Sequence, residues 1–227
     1  MSTLIESPAP AATAPGTRTG RAWAVAGAVA GAAGVAAIQL SLKIDSVYNP
    51  DIADDPAKQA ADLATHKGVM TAMHITLMVA TVLIPVFAAG LARRLRTGTP
   101  AGSLLPAVAA SGLALTAVAG LMGAGLDTEF LFGLGEKGMT DELALVYGHW
   151  LSTIPWLWVG AGLSGVAVAV AAVRHRALPR WIGWVSAVLG GITLLFGISP
   201  LQYMAGFTGP VWLLVVALGF TLGDRKA

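Results

Sequence analysis

Residues 181–223 read WIGWVSAVLGGITLLFGISPLQYMAGFTGPVWLLVVALGFTLG, 43 residues between Arg180 and Asp224 without one charge. At a helical rise of ~1.5 Å per residue, a bilayer core of about 30 Å takes about 20 residues, so this stretch is twice what one crossing needs. Ser199-Pro200 sits near its middle as a turn signal, and the reading is a helical hairpin with spans at 182–198 and 202–222.

Working back toward the N-terminus, the same arithmetic recurs. Arg21 and Lys43 enclose 21 uncharged residues, Lys67 and Arg93 enclose 25, Arg96 and Asp127 enclose 30, and Glu142 and Arg174 enclose 31. Each interval holds one helix and an interfacial stretch. The expected helices are 22–41, 69–92, 104–126 and 146–172, which makes six with the hairpin. Composition agrees. Of 227 residues 56% are apolar and 11% charged, against about 25% charged in a soluble domain, too few to cover a water-facing surface.

The charges fall into two sets. Arg18, Arg21, Arg93, Arg94, Arg96, Arg174, Arg176, Arg180, Arg225 and Lys226 share one side with Glu6 and Asp224, a net +8. Lys43, Lys58, Lys67 and Lys137 share the other with Asp45, Asp51, Asp54, Asp55, Asp62, Asp127, Glu129, Glu136, Asp141 and Glu142, a net −6. The positive-inside rule then places both termini in the cytoplasm and the acidic loops outside. The fold class is an all-α integral membrane bundle of six transmembrane helices. Residues 1–20 read as a disordered cytoplasmic tail, 21–223 as the bundle with outer loops at about 42–68 and 127–145, and 224–227 as a short cytoplasmic C-terminus. A cleaved signal peptide is the alternative for the first span, but its uncharged run fills a whole bilayer. Within the first outer loop, Asp54 or Asp55 is expected to cap a short helix that rests on the bundle through Ala57, Ala60, Ala61 and Ala64.

Several function classes are excluded. The basic residues form no stripe interleaved with aromatics, so nucleic acid is not a partner, and the absence of cysteine removes disulfides, thiolate metal sites and a thiol nucleophile. No phosphate-binding glycine loop, H-E-x-x-H zinc motif or G-x-S-x-G elbow occurs, and Ser164 in Gly162-Leu163-Ser164-Gly165 is no substitute. Small residues such as Gly27, Gly31, Gly120, Gly123, Gly160, Gly162 and Gly165 predict close helix packing, and Pro85, Pro155 and Pro210 predict kinks. His74 with Arg93-Arg94, and His149 with Arg174-His175-Arg176, recur at offsets of 75 and 81 residues, the pattern of a duplicated two-helix hairpin.

Residues capable of chemistry gather toward the acidic side. His74 follows Lys67 by seven positions and His149 follows Glu142 by seven, which buries both ~10 Å below the charged boundary. His66, Met70, Met73 and His74 form one stripe, and His149, Ser152 and Thr153 form another. Met122, Met139, Met204, Gln202 and Tyr203 fall in the same half, with Asp127 and Glu129 at the end of the third helix. The geometry expected is His74 facing His149 across a cavity with Asp127 or Glu129 at its rim.

Three readings follow. Imidazoles near helix ends bond to neighbouring carbonyls, and methionine fills gaps. Alternatively the cluster binds a lipophilic or metal-containing ligand, with His66, Met70, Met73, His74 and His149 as metal ligands for copper, or paired imidazoles for a b-type haem. Or His74, His149, Asp127 and Glu129 are catalytic groups of an intramembrane enzyme, an isomerase or cyclase exchanging protons with an isoprenoid-type substrate. A structural or transport subunit of a membrane complex is a further alternative.

The run from His74 to Arg94 with Pro85 inside it, and Leu178-Pro179-Arg180-Trp181-Ile182-Gly183-Trp184, resemble a broad group of uncharacterised multi-span proteins of high-GC Gram-positive bacteria. The resemblance covers helices two to six and implies a six-helix bundle in the cytoplasmic membrane with no assigned reaction.

Overall fold

The computed structural model of the protein describes residues 20–222 apart from 126 and 137, and every regular element among them is helical. The tail and the last residues, to which the sequence assigns disorder and a cytoplasmic end, lie outside the described residues. Six rods are long and apolar enough to cross a membrane. The first is α1 (Ala22–Ser41) and the second is α3 (Lys67–Arg96), with the short α2 (Pro56–Thr65) between them. The third joins α4 (Leu105–Gly125) to α5 (Asp127–Gly133), and the fourth joins α6 (Asp141–Thr153) to α7 (Val159–His175). The fifth runs through α8 (Arg180–Val185) and α9 (Gly191–Ile198), and α10 (Ala205–Leu222) is the sixth.

Each rod packs on the next in chain order, and α10 closes the ring against α1. Their outward side chains are apolar along the whole height, as at Ile75, Val82, Leu115, Val118, Val173, Val188 and Leu195. Such a surface suits hydrocarbon and is far larger than the apolar patch a water-soluble monomer tolerates. At one end Arg21 donates to the Thr221 carbonyl (2.9 Å) and Arg94 to the Ala177 carbonyl (3.1 Å), so the start of α1 and the ends of α3, α7 and α10 are gathered there with the arginines. The acidic loops occupy the opposite end.

Glycine sets the closest approaches. A Cβ on Gly165 would stand 2.6 Å from Gly190 Cα, and one on Gly112 would meet the Gly160 carbonyl and the Ser164 hydroxyl. In lipid, helices gain nothing from hiding apolar surface, so backbone contact of this kind is what holds neighbouring rods together. A π-turn over Ser186–Gly190 joins α8 to α9 and includes Gly190, while Ser186 accepts from Trp212 Nε1 (3.0 Å).

The prolines act unequally. Pro85 and Pro210 are carried inside continuous helices, whereas at Pro155 the expected kink is a full break. Ile154–Trp156 forms a 3₁₀ turn, Leu157 leaves helical geometry (φ −78°, ψ 80°), and the helix restarts at Val159. Pro155 lacks an amide and crowds the preceding turn. The indoles then hold the broken path: Trp158 Nε1 donates to the Pro155 carbonyl (3.1 Å) and Trp156 Nε1 to Ser41 Oγ (3.0 Å). The second and fourth rods, read from sequence as copies of one hairpin arm, are therefore built differently.

Helix reaches well into the expected outer loops. The span expected to stop at 126 continues through Asp127–Gly133, and α6 starts at Asp141, so only 134–140 of the expected loop 127–145 lies outside helix. The loop expected at 42–68 does carry its short helix. Asp55 caps α2 by accepting from the Lys58 amide (3.1 Å), and that bond holds the Asp55 carboxyl below its usual range. The alanines of α2 line a cleft against Leu134, Met139 and Ala144, although Gln59 and Leu63 make the buried contacts.

Candidate functional site

At the acid-rich end α3, α5 and α6 converge on one carboxylate. Asp127 opens α5, and because the third rod continues past it, its side chain turns into the bundle and is 1% exposed. His74 Nδ1 lies 3.5 Å from Asp127 Oδ2, and the His74 side chain is 24% exposed. The Tyr147 hydroxyl, fully buried, borders the same carboxylate from α6. Phe130, one turn after Asp127, stacks on the Tyr147 ring at 4.7 Å and 5° and fixes its plane. Met70, Met73, Leu63 and Leu151 close the surroundings as apolar core.

The local hydrogen bonding is incomplete. His74 Nδ1, both Asp127 oxygens, Tyr147 Oη and Thr81 Oγ1 are buried without a hydrogen-bond partner. Thr81 follows His74 by seven residues on α3 and faces Gly120, which precedes Asp127 by seven on the antiparallel third rod. Two turns of one helix contact thus place the His74–Asp127 pair above the Thr81–Gly120 contact.

His149 is elsewhere. It is exposed, and its ring meets Tyr48 edge-on at 5.9 Å. The facing pair of histidines expected from equal depth is not what the fold builds, because residues at equal depth on different rods also have azimuths, and those differ here. Glu129 is exposed and Asp127 is sealed, so neither sits at the rim of a shared cavity. The two imidazoles that a b-type haem or a copper ion would share have separate neighbours.

Tyr48 leads instead to an apolar groove. A cavity of about 420 Å³ lies between the end of α1, the break in the fourth rod and the start of α10, lined by Leu42, Tyr48, Ser152, Thr153, Trp156, Tyr203 and Phe207. Trp156 and Phe207 meet edge-on at 4.9 Å. Of the residues singled out from spacing, Ser152, Thr153 and Tyr203 line the groove and His149 does not; the aromatic wall contributed by Trp156 and Phe207 was not singled out.

The third cluster is at the surface. Asp45, Asp62 and His66 each offer a ligand atom, all within 4.8 Å of one another. Asp62 Oδ2 also accepts from the buried Ser46 hydroxyl (2.7 Å), and His66 Nδ1 lies 3.0 Å from the Asp62 carbonyl. Metal-ligand geometry thus joins His66 to acids that spacing had assigned only to the loop, and not to Met70 and Met73, which are buried in the core. Tyr147 was missed altogether, although it lies inside an uncharged run, where a hydroxyl needs a partner.

No protein-family model matches this chain, and neither a curated protein nor a solved structure matches it.

Proposed function

We propose that this multi-pass membrane protein binds a lipophilic small molecule at its acid-rich end, in the groove beside the break of the fourth rod. The observation that carries the reading is the groove itself: about 420 Å³ walled by Leu42, Trp156, Tyr203 and Phe207, with the Ser152 and Tyr48 hydroxyls at hand. Small-molecule sites have this size and this mixture of apolar walls with few polar groups. Aromatic faces from separate elements suit a ring or a single chain, and the hydroxyls suit one polar end.

The charge split supports the orientation, with the acidic end outside and both termini inside a bacterial cytoplasmic membrane. Reporter fusions at Arg96 and Arg176 are then cytoplasmic, and fusions at Asp55 and Lys137 are extracytoplasmic.

Purification in lipid nanodiscs, followed by organic extraction and mass spectrometry, tests the ligand. The wild-type protein is expected to carry a lipophile that Ser152→Trp, which fills the groove, has lost. Identical extracts of bulk phospholipid from both proteins sink the proposal.

A further inference from the structure

We propose that His74, Asp127 and Tyr147 form a proton-binding centre, distinct from the groove, in which His74 carries protons between the outside of the bundle and a sealed carboxylate. The distribution of satisfied groups argues for it first. Elsewhere in the interior, buried polar side chains are paired. Ser41 accepts from Trp156, Ser186 from Trp212, Thr116 donates to the Gly112 carbonyl, Ser164 to that of Ala109, and Thr193 meets Thr208. Gln59 reaches two carbonyls in the same way. The unpartnered atoms are those of His74, Asp127 and Tyr147, with Thr81 two turns deeper.

A structural ion pair has the opposite character. Burying a carboxylate is costly, and such a pair is retained when further hydrogen bonds use up its lone pairs. Here the ions stand 3.5 Å apart and neither carboxylate oxygen has a hydrogen bond. The arrangement leaves acceptor positions open for a proton to arrive and leave.

Exposure gives the direction of traffic. Asp127 and Tyr147 are sealed, and His74 alone of the three reaches the outside of the bundle. The step balances without any further reagent: an imidazolium proton passes from His74 Nδ1 to an Asp127 oxygen, leaving a carboxylic acid and an imidazole whose remaining proton is on Nε2, and rotation of the ring turns the bare Nδ1 away from Asp127 to take its next proton from outside the bundle. Charge thereby enters the sealed pocket as a proton, and the buried Tyr147 hydroxyl borders the carboxyl that receives it. The titratable groups facing Asp127 from the packed elements are His74 of α3 and Tyr147 of α6; α4 carries no charged residue, and Glu129 on α5 is exposed. Imidazole is the side chain suited to exchange at ordinary pH.

Infrared difference spectroscopy on the full chain in nanodiscs, titrated over pH, tests the centre. Wild type is expected to show a carboxylic C=O band that titrates, shifts in D2O and disappears in Asp127→Asn. In His74→Gln the band's midpoint moves by at least ~1 pH unit, since the neighbouring charge is gone. Tyr147→Phe moves the band's frequency, because the polar hydroxyl that borders the carboxyl has been removed. An Asp127→Asn spectrum identical to wild type, or an unmoved midpoint in His74→Gln, overturns the proposal. If Asp127→Asn does not assemble, Asp127→Glu replaces it, and a band unchanged from wild type then overturns the centre. Lipophile extracted from Asp127→Asn or Asp127→Glu stays at the wild-type amount, so loss of the groove's ligand and loss of the proton site are separate results.

Discussion

The middle and arginine-rich end of the bundle differ from the acid-rich end in how each interior is filled. In the former, Gly165 lies against Gly190 and Gly112 against Gly160, Trp212 and Phe87 are fully enclosed, and the indole and hydroxyl groups find each other. In the latter the core is made of Met70, Met73, Leu63 and Tyr147, and although Ser41, Ser46 and Gln59 are paired, the polar atoms of His74, Asp127 and Tyr147 are left open. Close backbone contact with satisfied polar groups fixes one arrangement, whereas flexible thioethers around unpaired groups tolerate small rearrangements. One half therefore holds the rods in place, and the other is, on the proposal above, the part that takes up and releases a proton. The contrast can be broken by mutation in either half.

The largest effect is expected from Trp212→Ala. It removes a fully buried indole and strands the Ser186 hydroxyl inside the π-turn, with a cost of about 3–5 kcal/mol by analogy with other buried Trp or Phe truncations. Thermal unfolding in detergent measures it. A loss no larger than that of an outward-facing change such as Val118→Ala would show that this half is not the lock described. Next comes Gly165→Ala, whose Cβ would stand 2.6 Å from Gly190 Cα. Overpacking costs about 1–3 kcal/mol, and the neighbour here is backbone, which has no rotamer to move. The same substitution at Gly125, where a Cβ meets nothing within 4 Å, is expected to be silent.

A smaller but more discriminating comparison uses two threonines. Thr116 donates to the Gly112 carbonyl at 3.2 Å, while Thr81 Oγ1 has no partner. Replacing Thr116 by Val is expected to destabilise by about 0.5–1.5 kcal/mol, the usual net worth of one hydrogen bond. Thr81→Val is expected to be neutral or stabilising, because the hydroxyl it removes is desolvated without return. Equal losses at both positions, read by the same unfolding assay, would erase the distinction between the halves.

How much of this was legible follows from which kind of signal each feature sends. Six spans and their common alternation came from charge counting, because lipid forbids charges over a fixed length and the prohibition reads directly as intervals such as Lys67 to Arg93. The cap at Asp55 came from local chemistry, which needs only neighbours in sequence. The height of His74 and His149 along their rods was countable, since rise is set by residue number. Their azimuth was not, because rotation about a rod depends on which faces are buried, and spans with apolar residues all round, such as α4, give no periodic signal. Asp127 was read as the end of the third helix, and the helical rod runs on through α5 to Gly133. A charge at a span boundary looks the same in sequence whether the helix stops there or continues with the side chain turned inward. The break at Pro155 was underestimated for a related reason: Pro85 and Pro210 have the same composition signal, and only the packing of Trp156 and Trp158 separates a break from a kink.

The smallest effect expected concerns pH at the loop that covers the acid-rich end. Asp55 accepts from the Lys58 amide at 3.1 Å and pairs with the Lys58 ammonium at 3.1 Å, and both lower its carboxyl below the ordinary value of 3.8. A carboxyl with a lowered folded-state value favours the folded helix fully above its unfolded-state value. That contribution is lost as pH falls from the unfolded value through the still lower folded one. The start of α2 should therefore loosen only in acid below about the ordinary aspartate range. Hydrogen exchange at the Lys58 amide reports it residue by residue: protection at neutral pH, declining in acid, and absent at both in Asp55→Ala. Asparagine keeps an acceptor oxygen without the titration, so Asp55→Asn should hold a weaker protection that is flat across the same range. A decline that persists in Asp55→Asn would move its origin from this carboxyl to the contact between α2 and α6 beneath it.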